Sequence, residues 1–192
     1  LRTLQRMGPR LREFPRPLWL TIPKTESPAE VELVARELDR LELDWPLELM
    51  VESPRALRQI PSWVEAAGGR LRGVHFGPYD FLASCGQAAG DLHHPLCRQA
   101  KLEMIFQLAP YGLEWADGPT TRLPVAGADV EAAWDLHRRN VRASWELGFS
   151  QSWDLHPAQL VSHFAEMFAI YDELLPGALE RVLGSALARR AD

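Results

Sequence analysis

Leu47-Glu-Leu-Met-Val-Glu-Ser-Pro54 is the stretch on which the fold turns. A short apolar run ends at Glu52 and passes, with no linker, into a serine that can cap a helix and a proline suited to its first turn. That is the join of a β-strand to the helix following it in a βα unit. The same device stands upstream, where Leu18-Trp-Leu-Thr-Ile22 is followed by Ser27-Pro28 and by Glu30, the partner that closes a capping box. A helix over 28–43 follows, with Val31, Val34, Ala35, Leu38 and Leu41 on one face.

Downstream, Gly68-Gly69 opens a third strand, Leu71-Arg-Gly-Val-His-Phe76, which runs into Gly77-Pro-Tyr-Asp80. A helix from Leu96 to Leu108 and a fourth strand, Leu113 to Ala116, come next. Asp129 caps a helix over 130–147, which Gly148 stops as a left-handed C-terminal glycine does. A short polar fifth strand is predicted from Phe149 to Leu155, and His156-Pro157 starts a helix reaching Leu175. Pro176-Gly177 should break that helix and leave a terminal one, Ala178 to Arg190. Leu1 to Arg12 reads as a further helix, with Leu4, Met7 and Leu11 on one face. Strands alternating with helices predict an α/β fold with a parallel sheet, in about five βα units.

At 192 residues and 46% apolar composition, the chain can bury a core, and one domain is expected. A net charge of -5 argues against nucleic acid as a partner, because phosphate binding needs clustered Lys and Arg. Cys85 and Cys97 make neither a disulfide framework nor a C-x-x-C pair, and are expected to be buried thiols in a reducing cytoplasm. No apolar run approaches the ~20 residues that span a bilayer, so no membrane partner is expected.

In a parallel βα array, functional side chains collect at the carboxyl ends of the strands. Glu52 and Asp80 both stand there, one βα unit apart. Neighbouring strands would bring their Cα atoms within about 5 Å, and two carboxylates with water suit Mg²⁺ or Mn²⁺. The plainer reading is that Glu52 caps a helix and Asp80 closes a turn. Alternation puts Glu48, Met50 and Glu52 on one strand face, and Gly73, His75 and Gly77 on one face of the next. An inward Glu48 needs a partner, for which His75 or an arginine serves; His75 as a catalytic base is the alternative. Asp91, His93 and His94 read as a capped loop rather than a zinc site, His156 as a cap, Asp117 as a turn residue, and Trp134 and Trp145 as packing.

The words around these residues go further. Met50-Val-Glu-Ser-Pro-Arg-Ala-Leu57 and Val74-His-Phe-Gly-Pro-Tyr-Asp-Phe-Leu-Ala-Ser-Cys-Gly86 resemble the paired motifs of the HpcH/HpaI aldolase and citrate lyase beta-subunit family. Ile22-Pro-Lys-Thr-Glu26, Ala116-Asp-Gly118, and Gly148-Phe with His156-Pro-Ala-Gln159 are similar to three further motifs, in the same order. The resemblance covers roughly residues 18–175. It implies a (β/α)8 TIM barrel of the phosphoenolpyruvate/pyruvate type, with Glu52 and Asp80 as ligands of Mg²⁺ (or Mn²⁺). It also implies a lyase or aldolase acting on a small 2-oxo acid or acyl-CoA through a metal-stabilised enolate. Backbone N–H groups around Gly77 and Pro78 would receive the substrate carboxylate, and Lys24 either adds positive charge there or is a solvated loop lysine. The matching motifs are those of the family's later strands, so residues 1–192 are expected to form a single barrel domain incomplete at its N-terminus, closed by further chain or in a homo-oligomer. A non-catalytic or regulatory barrel subunit and a malate-synthase-like condensing enzyme are the alternatives.

Overall fold

The computed structural model describes residues 4–6, 10, 13, 18–87 and 91–188. Its strands are β1 (Leu20–Ile22), β2 (Leu47–Val51), β3 (Leu71–Phe76), β4 (Glu114–Asp117) and β5 (Gln151–Ser152). Its helices are α1 (Pro28–Arg40), α2 (Pro54–Leu57), α3 (Ile60–Ala66), α4 (Pro78–Ser84), α5 (Pro95–Leu108), α6 (Val130–Glu146) and α7 (Leu160–Ala188). The sheet order is β1-β2-β3-β4-β5, and β1 to β4 pair in parallel. This is the α/β architecture expected, with helices returning the chain between parallel neighbours. The predicted Leu1 to Arg12 helix falls largely outside the described residues, of which 4–6 and 10 are helical.

The chain divides into two compact units. The first, residues 1–118 with 147–151, holds β1 to β4 and α1 to α5. On one face of its sheet Leu47, Leu49, Val51, Val74 and Phe76 are buried, in one cluster with Val31 and Leu38 of α1, Trp63 of α3 and Met104 of α5. Burying side chains of this size stabilises by roughly 1.5–3 kcal/mol each, which is why the helices stay on the sheet. The local joins work as their residues suggest. Glu30 Oε2 accepts from the Ser27 backbone N–H at 2.9 Å, and Ser53 Oγ accepts from that of Ala56 at 3.0 Å. A bulge at Arg72 pairs Leu47 with Leu71 but Glu48 with Gly73.

In the second unit, residues 119–146 and 152–192, α6 packs on α7. Glu166 is buried and takes guanidinium contacts from Arg138, at 2.9 Å, and from Arg142, which also grips Glu173 at 2.8 Å. The predicted break at Pro176-Gly177 does not occur, since α7 continues through Pro176 to Ala188. A proline removes one backbone bond from a helix, and over an exposed stretch such as 171–183 water can satisfy the carbonyl it frees. Trp134 and Trp145 behave as packing residues: Trp134 Nε1 donates to the Ala158 carbonyl at 2.8 Å, and the Trp145 ring meets Tyr171 edge-on. Among the described residues, no helix is long and apolar enough to cross a membrane.

Candidate metal and substrate site

The carboxyl ends of β1, β2 and β3 bring Lys24, Glu52 and Asp80 together. Lys24 lies two residues beyond β1 in the left-handed backbone region, at φ 52°, a conformation that disfavours a side-chain-bearing residue. Its backbone N–H donates to Glu52 Oε2 at 2.5 Å, and its ammonium forms a short ion pair with Asp80 Oδ2. Glu52 and Asp80 are themselves close enough to share a hydrogen bond when one is protonated. Next to them, Ser53 Oγ donates to Glu26 Oε1 at 2.7 Å and ties the β1 loop to the β2 loop. Thus the two carboxylates converge on Lys24, Glu52 through its backbone N–H and Asp80 through its ammonium.

The electrostatics follow from burial and contact. Partial burial raises the Glu52 carboxyl above its ordinary value against the pull of Lys24, and the charge of Asp80 adds to the rise. Asp80, more than half exposed, is lowered by its hydrogen bond to Lys24, and the Lys24 ammonium is raised by the same contact. One carboxyl pushed up beside one pushed down is the pattern of a site in which charges are shared.

Gly77 is required by shape. A Cβ there would lie 2.4 Å from Glu52 Cγ, so only glycine lets Glu52 rest against the loop. Its own N–H is not free for a substrate, because it extends the ladder to the Val51 carbonyl at 2.9 Å. Pro78 has no N–H; it is buried as the first residue of α4, and a Cβ on Gly118 would meet its ring at 2.3 Å. Gly77 and Pro78 therefore shape the floor of the site rather than offer donors of their own.

Below this rim, Glu48 takes the partner expected of it. Its Oε1 lies 3.2 Å from His75 Nε2, and its Oε2 accepts from Thr21 Oγ1 at 2.7 Å. Thr21 pairs with Glu48 across β1 and β2, so a polar row crosses three strands on one sheet face. Contact with His75 holds the Glu48 carboxyl below its ordinary value despite partial burial, and Thr21 assists.

Residues 2–191 match the model of a family described as a domain of unknown function, DUF6986. The chain belongs to the DUF6986 family. Solved structures similar to this DUF6986 chain include RipC from Yersinia pestis, at 28% identity and a TM-score of 0.62 over 86% of this chain and 68% of that one. A citrate lyase from Burkholderia xenovorans LB400 matches at 27% identity and a TM-score of 0.69, covering 93% and 57% of the two chains. The citrate lyase beta subunit of M. tuberculosis, complexed with oxaloacetate and magnesium, shares the fold at 17% identity and a TM-score of 0.61, covering 78% and 60%. Against the latter two, this chain spans less than two thirds of the structure it matches. No curated protein sequence matches it.

Other residues of the DUF6986 chain take the places that plain chemistry gives them. Asp91 Oδ1 accepts from the His93 N–H at 2.9 Å and His94 Nδ1 from that of Leu96 at 3.2 Å, a capped loop before α5. His156 Nδ1 accepts from the Ala158 N–H at 3.1 Å, as a cap. Cys97 is buried as expected, whereas Cys85, at the end of a short helix, is only half-buried. Sequence reading missed several buried polar centres, among them those at Asp117 and Gln159. Asp117 does close its turn, accepting from the Gly118 N–H at 2.8 Å, but its other oxygen meets Lys101 in a buried pair. Gln159 is fully buried, takes the N–H groups of Leu155 and His156, and donates to the Thr120 carbonyl at 2.8 Å.

Proposed function

We propose that the chain supplies the metal and much of the substrate site of a carbon–carbon lyase or aldolase built on the citrate lyase-like barrel. The observation that carries this reading is the convergence of Glu52 and Asp80, from the ends of neighbouring strands, on one residue, Lys24, whose backbone N–H donates to Glu52 and whose ammonium pairs with Asp80. Two carboxylates at a half-open rim form a hard-oxygen donor set with room for waters, which fits Mg²⁺ or Mn²⁺. Such an ion would stabilise the negative charge that grows on an oxo group when a bond beside it breaks.

The chain's own residues divide the remaining work. Lys24, with two thirds of its side chain exposed, has room to turn from Asp80 toward a substrate carboxylate. Gly77 and Pro78 keep the floor low enough for a small 2-oxo acid or the acyl end of an acyl-CoA. His75, whose Nε2 lies 3.2 Å from the Glu48 carboxylate, is the proton-transfer group of this scheme. The expected setting is the cytoplasm, without nucleic acid or membrane partners. A homo-oligomer is supported by the exposed Phe164, Phe168, Leu175 and Val182 of α7.

One observation favours a second reading: the Lys24 ammonium already pairs with Asp80, which suits a non-catalytic or regulatory barrel in which these side chains are structural. The two readings separate in deuterium exchange on pyruvate, oxaloacetate and acetyl-CoA. Exchange that depends on Mg²⁺ and disappears in Glu52→Gln and Asp80→Asn supports the enzyme. Absence of both exchange and Mg²⁺-dependent substrate binding leaves the non-catalytic barrel. Release of free CoA thiol from acetyl-CoA and glyoxylate would instead mark a malate-synthase-like condensation.

A further inference from the structure

The second unit holds another constellation, built from none of the residues above. His137 on α6, Asp154 just after β5, and His163 on α7 each direct one donor atom to a common point, and the three atoms lie within 4.8 Å of one another. His137 Nε2 is 3.1 Å from Asp154 Oδ1, and His163 Nδ1 is 2.9 Å from Asp154 Oδ2. The His137 side chain is 1% exposed, those of His163 and Asp154 14% and 15%.

Alignment separates this cluster from an ordinary hydrogen-bonded one. Despite the short distances, His137 Nε2, Asp154 Oδ1 and His163 Nδ1 are all buried without a hydrogen bond of acceptable geometry. The other nitrogen of His137 is committed. Its Nδ1 lies 2.8 Å from Ser162 Oγ, whose single proton goes to the Gln159 carbonyl at 2.9 Å. The hydroxyl therefore accepts from Nδ1–H, and Nε2 is left with a lone pair directed at a carboxylate oxygen. Two buried lone pairs at that separation repel unless a cation stands between them. An imidazole whose far N–H is tied to a fixed oxygen is also how metal-binding histidines are oriented.

We propose that His137, Asp154 and His163 bind one late first-row divalent metal ion of the Zn²⁺ class. Two imidazoles and a carboxylate suit Zn²⁺, Co²⁺ or Fe²⁺ far better than Mg²⁺, which takes oxygen ligands. Tetrahedral bonds of about 2.0–2.1 Å set neighbouring donors roughly 3.3 Å apart; His137 Nε2 stands 3.1 Å from Asp154 Oδ1, and with one donor from each residue the three lie within 4.8 Å, so an ion would draw the widest pair together. The partial exposure of Asp154 and His163 leaves a fourth position for water or a ligand. The ion would clamp α6, the segment after β5 and α7 together, and Ser162 is its positioning residue.

Titration of the purified chain with Co²⁺ tests this directly. One equivalent should bind and give the visible ligand-field absorption of a low-coordinate ion, displaced by Zn²⁺ but not by excess Mg²⁺. His163→Gln and His137→Gln should abolish the signal, Ser162→Ala should weaken binding roughly tenfold, and Glu52→Gln with Asp80→Asn should leave it intact. His163→Gln, on the partly exposed side, keeps the test valid if His137→Gln does not fold, as judged by circular dichroism. Absence of stoichiometric Co²⁺ and Zn²⁺ binding, displacement by Mg²⁺, or binding that survives in a folded His163→Gln would overturn the proposal.

Discussion

Lys101 Nζ lies 2.8 Å from Asp117 Oδ2, with the two side chains 4% and 0% exposed. The pair joins α5 to the carboxyl end of β4 in a buried setting, where charge can be tolerated only if it is matched. Lys101→Met would leave the Asp117 carboxylate buried without its cation, and should lower unfolding free energy by about 3–5 kcal/mol in urea denaturation. Adding Asp117→Asn should recover much of that loss. A single variant within about 1 kcal/mol of the parent would show that the pair contributes little.

Glu48 gives the protein an acid limb in its stability. Because His75 and Thr21 hold its carboxyl below the ordinary value near 4.5, its contribution is complete above that pH and is lost as pH falls through the lowered value. Glu48→Gln should therefore cost about 1–2 kcal/mol at pH 7, with the gap from the parent closing under more acidic conditions. Urea midpoints of both proteins at pH 7 and at several points below 4.5 would show it; a gap that does not change with pH contradicts the assignment.

Gly77→Ala isolates shape at the carboxylate site. Gly77 has a negative φ, so alanine meets no backbone penalty, and the 2.4 Å approach of its Cβ to Glu52 Cγ is the whole effect. Stability should fall by about 1–3 kcal/mol, and any Mg²⁺ affinity by roughly tenfold or more as Glu52 is displaced. Calorimetry with Mg²⁺, alongside thermal melts, separates the two losses.

Cys97 should be chemically silent in the folded chain. Burial pushes its thiol up to about 11, against the pull of Lys101, so thiolate is scarce at pH 8 as well as inaccessible. A disulfide reagent should therefore find at most Cys85 in the native protein and both thiols in denaturant. Rapid labelling of a native Cys85→Ser variant would contradict this.

The sequence by itself determined the alternation of strands and helices, the parallel sheet and the placing of Glu52 and Asp80 at strand ends. Each follows from local patterns: Ser27-Pro28 and Ser53-Pro54 starting helices, and period-two alternation that set Glu48 and His75 on one face. Only the tertiary structure decided what those side chains meet. That the Lys24 ammonium meets Asp80, and that Lys101 answers Asp117, depend on positions 56 and 16 residues apart becoming neighbours. The His137, Asp154 and His163 cluster has no motif spacing of its own, because its members come from two helices and the segment between them. The continuation of α7 through Pro176 lay beyond the reach of pattern for a related reason: a proline's local cost is readable from sequence, but the solvent that meets the freed carbonyl is a property of the folded surface.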